Sequence, residues 1–403
     1  MTLAWLALAL GVVALLLAVN VRRPPTRPMP VAMVAFAAGW LLGELPLQAV
    51  VLELVIAAGL GAAGAFAAWP GLAGLALAIV SWLLLGLTWR DAVAARAVIE
   101  ARAGFPLRAE PPSRLTRLYP WWRSMRGVAR VVTHPYAPDV HARLVADVYR
   151  ARGAAPAARP RPIFVYVHGG GWILGFRRFQ GRPLLHRLAR EGWLCVSVDY
   201  RLSPWATFPD HVVDVKRAVA VVREHAAEWG GDPARIVLSG NSAGGHLAAL
   251  AALTPRYGAW QPGFEHADTS VVACVPCYGI YDLLHRERQW PHKGLERLLA
   301  RAVLKLPRTD VDAWRAASPW DHVDADAPPF FVVHGSHDTV VPVAEARAFV
   351  RHMEREVPGR AQLLEIPGAQ HAFDLFRSPR VDATVDAIVT WLDRFRGPDE
   401  AGG

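Results

Sequence analysis

Arg235-Ile236-Val237-Leu238-Ser239-Gly240-Asn241-Ser242-Ala243-Gly244-Gly245-His246-Leu247 is the stretch that decides the fold. Arg235–Ser239 is a short, mostly β-branched and apolar run and reads as a buried strand, while Gly245–Leu253 reads as a helix. Between them Gly240–Gly244 spells G-x-S-x-G. In a strand–turn–helix setting this pentapeptide is a nucleophile elbow. Its glycines leave room for a sharp turn that lifts the Ser242 hydroxyl above the sheet. The helix N-terminus behind Ser242 favours negative charge. The competing reading is a plain glycine turn, and the flanking strand and helix decide against it.

The same alternation recurs on both sides of this stretch. Val131-Val132 and Leu144–Tyr149 suggest an opening hairpin. Ile163–Val167, Leu194–Val198, Val271–Cys277, Phe330–Val333 and Leu363–Ile366 read as further strands. Pro183–Glu191, His211–Trp229, Val343–Val357 and Val381–Phe395 read as the helices between and after them. Strands alternating with helices predict an α/β domain over residues 131–398, built on a doubly wound, mostly parallel sheet.

A serine hydroxyl needs a base, and the base needs an orienting acid. In this topology the chain order is serine, acid, histidine. His371 lies on the loop after strand Leu363–Ile366, and Asp338 on the loop after Phe330–Val333. Both are C-terminal strand ends, where catalytic groups collect in open α/β sheets. His246 and His352 fall inside helical patterns, and His285, His292 and His322 in an irregular segment. His334 and His337 precede Asp338 and read as hydrogen-bonding residues. Asp374 is the rival acid but shares the loop of His371. For the oxyanion, His168-Gly169-Gly170-Gly171-Trp172 follows strand Ile163–Val167. Its backbone N–H groups at Gly170 and Gly171, with Gly169 a further candidate, are expected to join that of Ala243. A phosphate-cradling loop is excluded by spacing, since neither G-x-G-x-x-G nor a following Lys-Ser/Thr is present.

The N-terminal part is a different material. Met1–Asn20 and Leu54–Trp89 carry no charged side chain, and the only acids between them are Glu44 and Glu53. Thr2–Asn20 is long enough to cross the roughly 30 Å hydrocarbon core at about 1.5 Å per residue. It lacks the basic start and small-residue cleavage site of a signal peptide. Pro46 and Pro70-Gly71 divide Met29–Trp89 into Pro30–Leu45, Leu47–Trp69 and Gly71–Trp89. Residues 1–90 are therefore expected to form a transmembrane bundle of about four spans. The first of the three later segments is short enough to be tilted or re-entrant. Arg22, Arg23 and Arg27 and the arginines after Trp89 are both cytoplasmic signals. Four spans put them on opposite sides, whereas three put them on one. Residues 91–130 read as a membrane-proximal connector. It holds a continuing helix, Pro111-Pro112 and the aromatic cluster Tyr119–Trp122. Glu53 reads as a carboxyl protonated or hydrogen-bonded between helices.

The 403-residue chain has a net charge of +9 carried almost wholly by scattered arginines. Without a dense basic run this excludes a nucleic-acid partner. Arginines near the bundle are placed to meet anionic lipid headgroups. Three cysteines make no disulfide framework. Cys274-Val275-Pro276-Cys277 has redox spacing but lies in a core-strand pattern. No metal or cofactor is expected.

Taken together, His168–Trp172, Asp199-Tyr200-Arg201-Leu202-Ser203-Pro204, Phe208-Pro209-Asp210, Gly240–Gly245, Asp338 and His371 resemble the hormone-sensitive-lipase-like branch of the α/β-hydrolases, carboxylesterases with an HGGG motif. The resemblance covers about Arg161–Phe373. With the hydrophobic N-terminus and the segment starting at Gln180, the chain is similar to membrane-associated esterases of mycobacteria and related actinobacteria. It departs at Asn241, where many members carry Asp, and in the size of the bundle. The resemblance implies an α/β-hydrolase fold and hydrolysis of small-molecule or lipid esters through an acyl-enzyme on Ser242, with His371 and Asp338. It also implies a structural role for Asp199 and Arg201 in an ion-pair network, and a bacterial cell-membrane location. Acyl transfer and arylformamidase chemistry would use the same triad. A non-catalytic hydrolase-like binding module would have lost a triad or oxyanion residue. Because the triad and oxyanion loops all lie beyond Val131, the chemistry is expected not to require the bundle.

Overall fold

Ile163–Val167 is apolar at every position because it lies at the centre of a sheet covered on both faces. The computed structural model describes residues 1–108, 127–140, 144–153, 159–291 and 293–397. The cluster Tyr119–Trp122, Pro111-Pro112 and His292 lie outside them.

Four N-terminal helices come first: α1 (Thr2–Arg22), α2 (Met29–Glu44), α3 (Pro46–Ala62) and α4 (Trp69–Ala103). The sheet follows, with β1 (Val128–Pro135), β2 (Val145–Ala151), β3 (Arg161–Val167), helix α5 (Arg182–Arg190), β4 (Leu194–Val198), helix α6 (Asp210–Glu224) and β5 (Gly231–Asn241). Helix α7 (Ala243–Leu253), β6 (Ala273–Cys277), β7 (Phe330–Gly335), helix α8 (Val343–Glu356), β8 (Ala361–Ile366) and helix α9 (Pro379–Leu392) complete it. Strand order is β1-β2-β4-β3-β5-β6-β7-β8, antiparallel from β1 through β4 and parallel from there to β8. The expected doubly wound sheet is thus present, with its hairpin at one edge. Helices α6, α7 and α8 cover one face and α5 and α9 the other. Cys274 and Cys277 are free and buried in β6, as core residues. Burial pushes both thiols up, away from redox-active values.

Helix α4 joins the two materials. Its first half belongs to the apolar bundle, while Ala95, Ile99 and Ala103 enter the hydrophobic core beneath β7 and β8. Gln362 Nε2 donates to the Ala103 carbonyl at 2.7 Å, and Arg96 pairs with Asp386 of α9 at 2.7 Å. The first part of the expected connector, up to Ala103, is therefore a rigid continuation of a helix.

The bundle helices pack in a definite direction. Trp5 packs on Trp69, Gly11 faces Gly74, Ser81 donates to the Ala14 carbonyl and Arg22 pairs with Asp91 at 3.0 Å. The two residue series ascend together, so α1 and α4 run parallel. They approach so closely that a Cβ at Gly11 would lie 2.2 Å from the Gly74 carbonyl oxygen, as small residues at helix contacts allow. Parallel helices need a return segment, which α2 and α3 supply. They are bent by 96° at Leu45-Pro46. By length and composition α1 and α4 could each cross a membrane, and the bent pair adds at most one more. Both α2 (16 residues) and α3 (17 residues) are short for a full crossing, and α2 does not continue straight into α3. Instead α2 lies across the end of α1, with Asn20 Nδ2 donating to the Ala35 carbonyl at 2.9 Å. Its other side rests on the α/β domain. Glu53 of α3 lines an apolar cavity of about 230 Å³ between α1, α3 and α4.

Helix α2 is fastened by a buried ion pair. Arg380 donates to Glu44, which also accepts from the Ser378 hydroxyl, and both charged side chains are almost fully buried. Ser378 caps α9 by accepting from the Val381 N–H at 3.1 Å, so the Glu44 carboxylate sits at a helix N-terminus as well. Removing one partner strands the other charge, at a cost of about 3–5 kcal/mol. Arg380→Met is expected to lower the thermal midpoint in detergent accordingly, and Glu44→Leu/Arg380→Met to recover most of the loss. Equal midpoints for all three proteins would show that the pair does not hold α2.

Candidate active site

Strand β5 ends at Asn241 and α7 begins at Ala243, leaving Ser242 alone at the turn with φ 54° and ψ −118°. A non-glycine residue there is strained. The surroundings hold it: the Ser242 N–H donates to the Cys277 carbonyl at 2.9 Å, and the His246 N–H to the Ser242 carbonyl at 2.9 Å. Asn241 Nδ2 donates to Asp374 at 2.7 Å and to the Tyr278 hydroxyl at 2.6 Å, while that hydroxyl donates in turn to Asp374.

His371 and Asp338 converge on this turn from neighbouring loops. Ser242 Oγ lies 2.8 Å from His371 Nε2, and His371 Nδ1 lies 2.6 Å from Asp338 Oδ2. The second Asp338 oxygen accepts from the Val340 and Val341 N–H groups at 2.9 and 2.7 Å. Burial pushes the Asp338 carboxyl up, but the neighbouring His371 and hydrogen bonds from His334 and His371 outweigh it and hold it at about 2. It stays ionised over the neutral range. Gln370 ties the two loops together, its Oε1 accepting from the Thr339 N–H at 2.8 Å and the His371 N–H at 2.9 Å. Tyr278 sets its ring edge-on to His371 with centroids 4.7 Å apart. Asp374, the rival acid, is spent on Asn241 and Tyr278, and burial pushes its carboxyl up.

The glycine loop follows β3. Gly169 sits beside the nucleophile, where a Cβ would lie 3.2 Å from that of Ser242. Its N–H, however, donates to Gln180 Oε1 at 2.8 Å. Of the expected oxyanion donors, Gly170, Gly171 and Ala243 keep N–H groups with no hydrogen-bond partner among the described residues. Gly170 (φ 128°) and Gly171 (φ 61°) take backbone conformations that side chains disfavour. His168 stacks on Tyr200 with centroids 4.5 Å apart and its Nδ1 lies 2.8 Å from the Gly169 carbonyl. Leu174 and Phe176 stand exposed on the rim.

Asp199 and Arg201 both enter structural ion pairs, each with its own partner. Asp199 binds Arg177, through its guanidinium and its N–H, and Arg201 grips Asp214 with its side chain and its N–H. Three residues were invisible as site members in the sequence. Gln180 and Gln370 are neutral side chains whose role exists only through loop contacts. Phe36 lies in an apolar run, yet its ring stands 5.9 Å from that of His371, centroid to centroid.

Residues 147–353 match the BD-FAE family profile over half of the chain. The chain belongs to the BD-FAE family. Two curated relatives come from Mycobacterium tuberculosis. The probable carboxylic ester hydrolase LipM is 47% identical over 242 residues, covering 60% of this chain and 56% of that protein. Esterase LipQ is 42% identical over 268 residues, covering 66% and 63%. The chain thus spans roughly three-fifths of the length of these BD-FAE relatives. Among solved structures, a thermophilic esterase from Thermogutta terrifontis superposes with a TM-score of 0.56 at 28% identity, covering 72% of this chain and 98% of the esterase. The eight-stranded, mostly parallel sheet and these esterase neighbours make the BD-FAE domain of this chain an α/β-hydrolase fold.

Proposed function

We propose that the chain is a membrane-anchored serine carboxylic-ester hydrolase. What carries this reading is the linear array Asp338–His371–Ser242 at hydrogen-bond distances beside unpaired N–H groups. His371 Nε2 takes the hydroxyl proton as Ser242 Oγ attacks the ester carbonyl. The N–H groups of Gly170, Gly171 and Ala243 receive the negative oxygen. His371 then gives its proton to the departing alkoxide, leaving an acyl-enzyme. Water, deprotonated by the same nitrogen, releases the acid and restores Ser242. Asp338 stabilises the imidazolium in both halves. No cofactor enters. Relatives described as carboxylic ester hydrolases and esterases support the same chemistry.

The substrate is a small-molecule or lipid ester, and the apolar helices make membrane lipids the second partner. Parallel α1 and α4 favour three passes, with the α3 segment as the return. That places Arg22–Arg27 and the arginines of α4 on one side, which the positive-inside rule makes the cytoplasmic side of a bacterial cell membrane. A fluorophosphonate probe tests the chemistry: it should label the wild-type protein stoichiometrically at Ser242, and unlabelled, folded protein would end the hydrolase reading. Carbonate washing tests the anchor, since release into the soluble pool would refute integration.

A further inference from the structure

The triad is in contact with the hydrophobic N-terminal region. Helix α2 lies on the loops that carry Asp338 and His371. The Thr339 hydroxyl donates to the Ala32 carbonyl at 3.2 Å. Gly39 abuts Gln370, where a Cβ would lie 3.6 Å from its amide. Phe36, between them, sets its ring at 76° to that of His371. One turn on, Trp40 stands 6.4 Å from Phe36 and stacks on Phe376 at 5.3 Å. The opposite side of α2 is apolar and open, with Val34 69% exposed and Val31, Met33 and Leu41 also exposed. The helix therefore separates His371 from an exposed apolar surface of the kind that contacts lipid or another apolar partner.

Geometry assigns the two halves of an ester to different walls. His371 Nε2 must reach the leaving oxygen to protonate it, so the alcohol half lies on the histidine side of the carbonyl. The Tyr278 ring already packs on His371, and Phe36 is the half-exposed ring beside it. We infer that α2 is the wall of the leaving-group subsite, that Phe36 touches the alcohol half of the substrate, and that the site selects esters of apolar alcohols drawn along α2 from the lipid side. This inference rests on the serine-hydrolase reading. On this inference, removing residues 1–89 removes the wall of the leaving-group subsite and leaves the triad and glycine loop in place.

The experiment uses the full chain in detergent micelles with two substrate series. Methyl, butyl and octyl acetate vary the alcohol while forming one common acetyl-enzyme. Methyl acetate, butyrate and octanoate vary the acyl group with one common alcohol. Each kcat/KM ratio is compared between wild type and variant in the same micelles, so partitioning cancels. In Phe36→Ala the octyl-to-methyl ratio of the alcohol series should fall about tenfold, the size of a lost apolar contact, and the acyl series should move by less than about twofold. Phe36→Leu should fall between, and it carries the test if the alanine variant does not fold. Fluorophosphonate labelling reports an intact Ser242 in each preparation. An unchanged alcohol ratio in labelled, active protein overturns the inference alone, as does an equal shift in both series. A wild type that is neither labelled nor active overturns the hydrolase reading and the inference with it.

Discussion

Ser242→Ala is expected to lower kcat/KM for a short p-nitrophenyl ester by about 10⁴-fold or more, with the thermal midpoint little changed. The size follows from what is removed. Without Oγ there is no acyl-enzyme, and His371 can only assist direct attack by water, in a site shaped for a covalent path. The oxyanion N–H groups of Gly170, Gly171 and Ala243 are backbone and survive the substitution, so a residue of catalysis above solution remains. The fold should tolerate alanine, since the hydroxyl's hydrogen bond is to His371 alone among the described residues. His371→Ala should be comparably severe, and the double variant no worse than either single one, because the residues act as a unit. Turnover near that of wild type, in a preparation free of other esterases, would end the assignment of Ser242.

Asp338→Asn is expected to cost about 10³–10⁴-fold in kcat, and Asp374→Asn less than about tenfold. Asp338 is buried and Asp374 partly so, and the two face different partners. Asp338 meets His371 Nδ1 at 2.6 Å, so an asparagine there presents the wrong tautomer or no charge to the imidazolium. Asp374 meets Asn241 and Tyr278, and makes no hydrogen bond to His371 among the described residues. Its loss should disturb the turn beneath Ser242 without removing the charge that stabilises the transition state. Asp338 also carries a pH signature. Its folded value near 2 lies below the ordinary 3.8, so its stabilisation is present above about pH 4 and lost as pH falls toward 2. Asp338→Asn should flatten the acid-unfolding curve in that window. The opposite pattern, severe loss at Asp374 with Asp338→Asn still active, would transfer the acid's role.

Much of the site was legible along the chain because its signals are local. Gly240–Gly244 between an apolar strand and a helix needs no distant residue to be read, and α/β alternation predicts that loops after β7 and β8 open on the same edge as β5. His371 and Asp338 are found by that rule alone. The glycine loop was legible for the same reason, but its division of labour was not. Gly169 yields its N–H to Gln180, and a tertiary contact is what decides which of the three glycines is spent in this way.

The apolar segments before Arg90 were legible as material for a membrane, since their lack of charge is a property of composition. Their arrangement was not. Hydropathy counts residues and is blind to direction, so it cannot see that α1 and α4 run parallel, or that α2 turns by 96° at Leu45-Pro46 to lie on the catalytic loops. Glu44 marked the place without explaining it, because its partner Arg380 is 336 residues away. Local signals along the chain were enough to point to an α/β fold and to Ser242, His371 and Asp338 as the candidate site residues, because each is marked by its immediate neighbours. That α2 borders His371 could be read only from the folded chain, because the contact depends on how two separately legible parts pack, and packing across hundreds of residues leaves no periodicity to read.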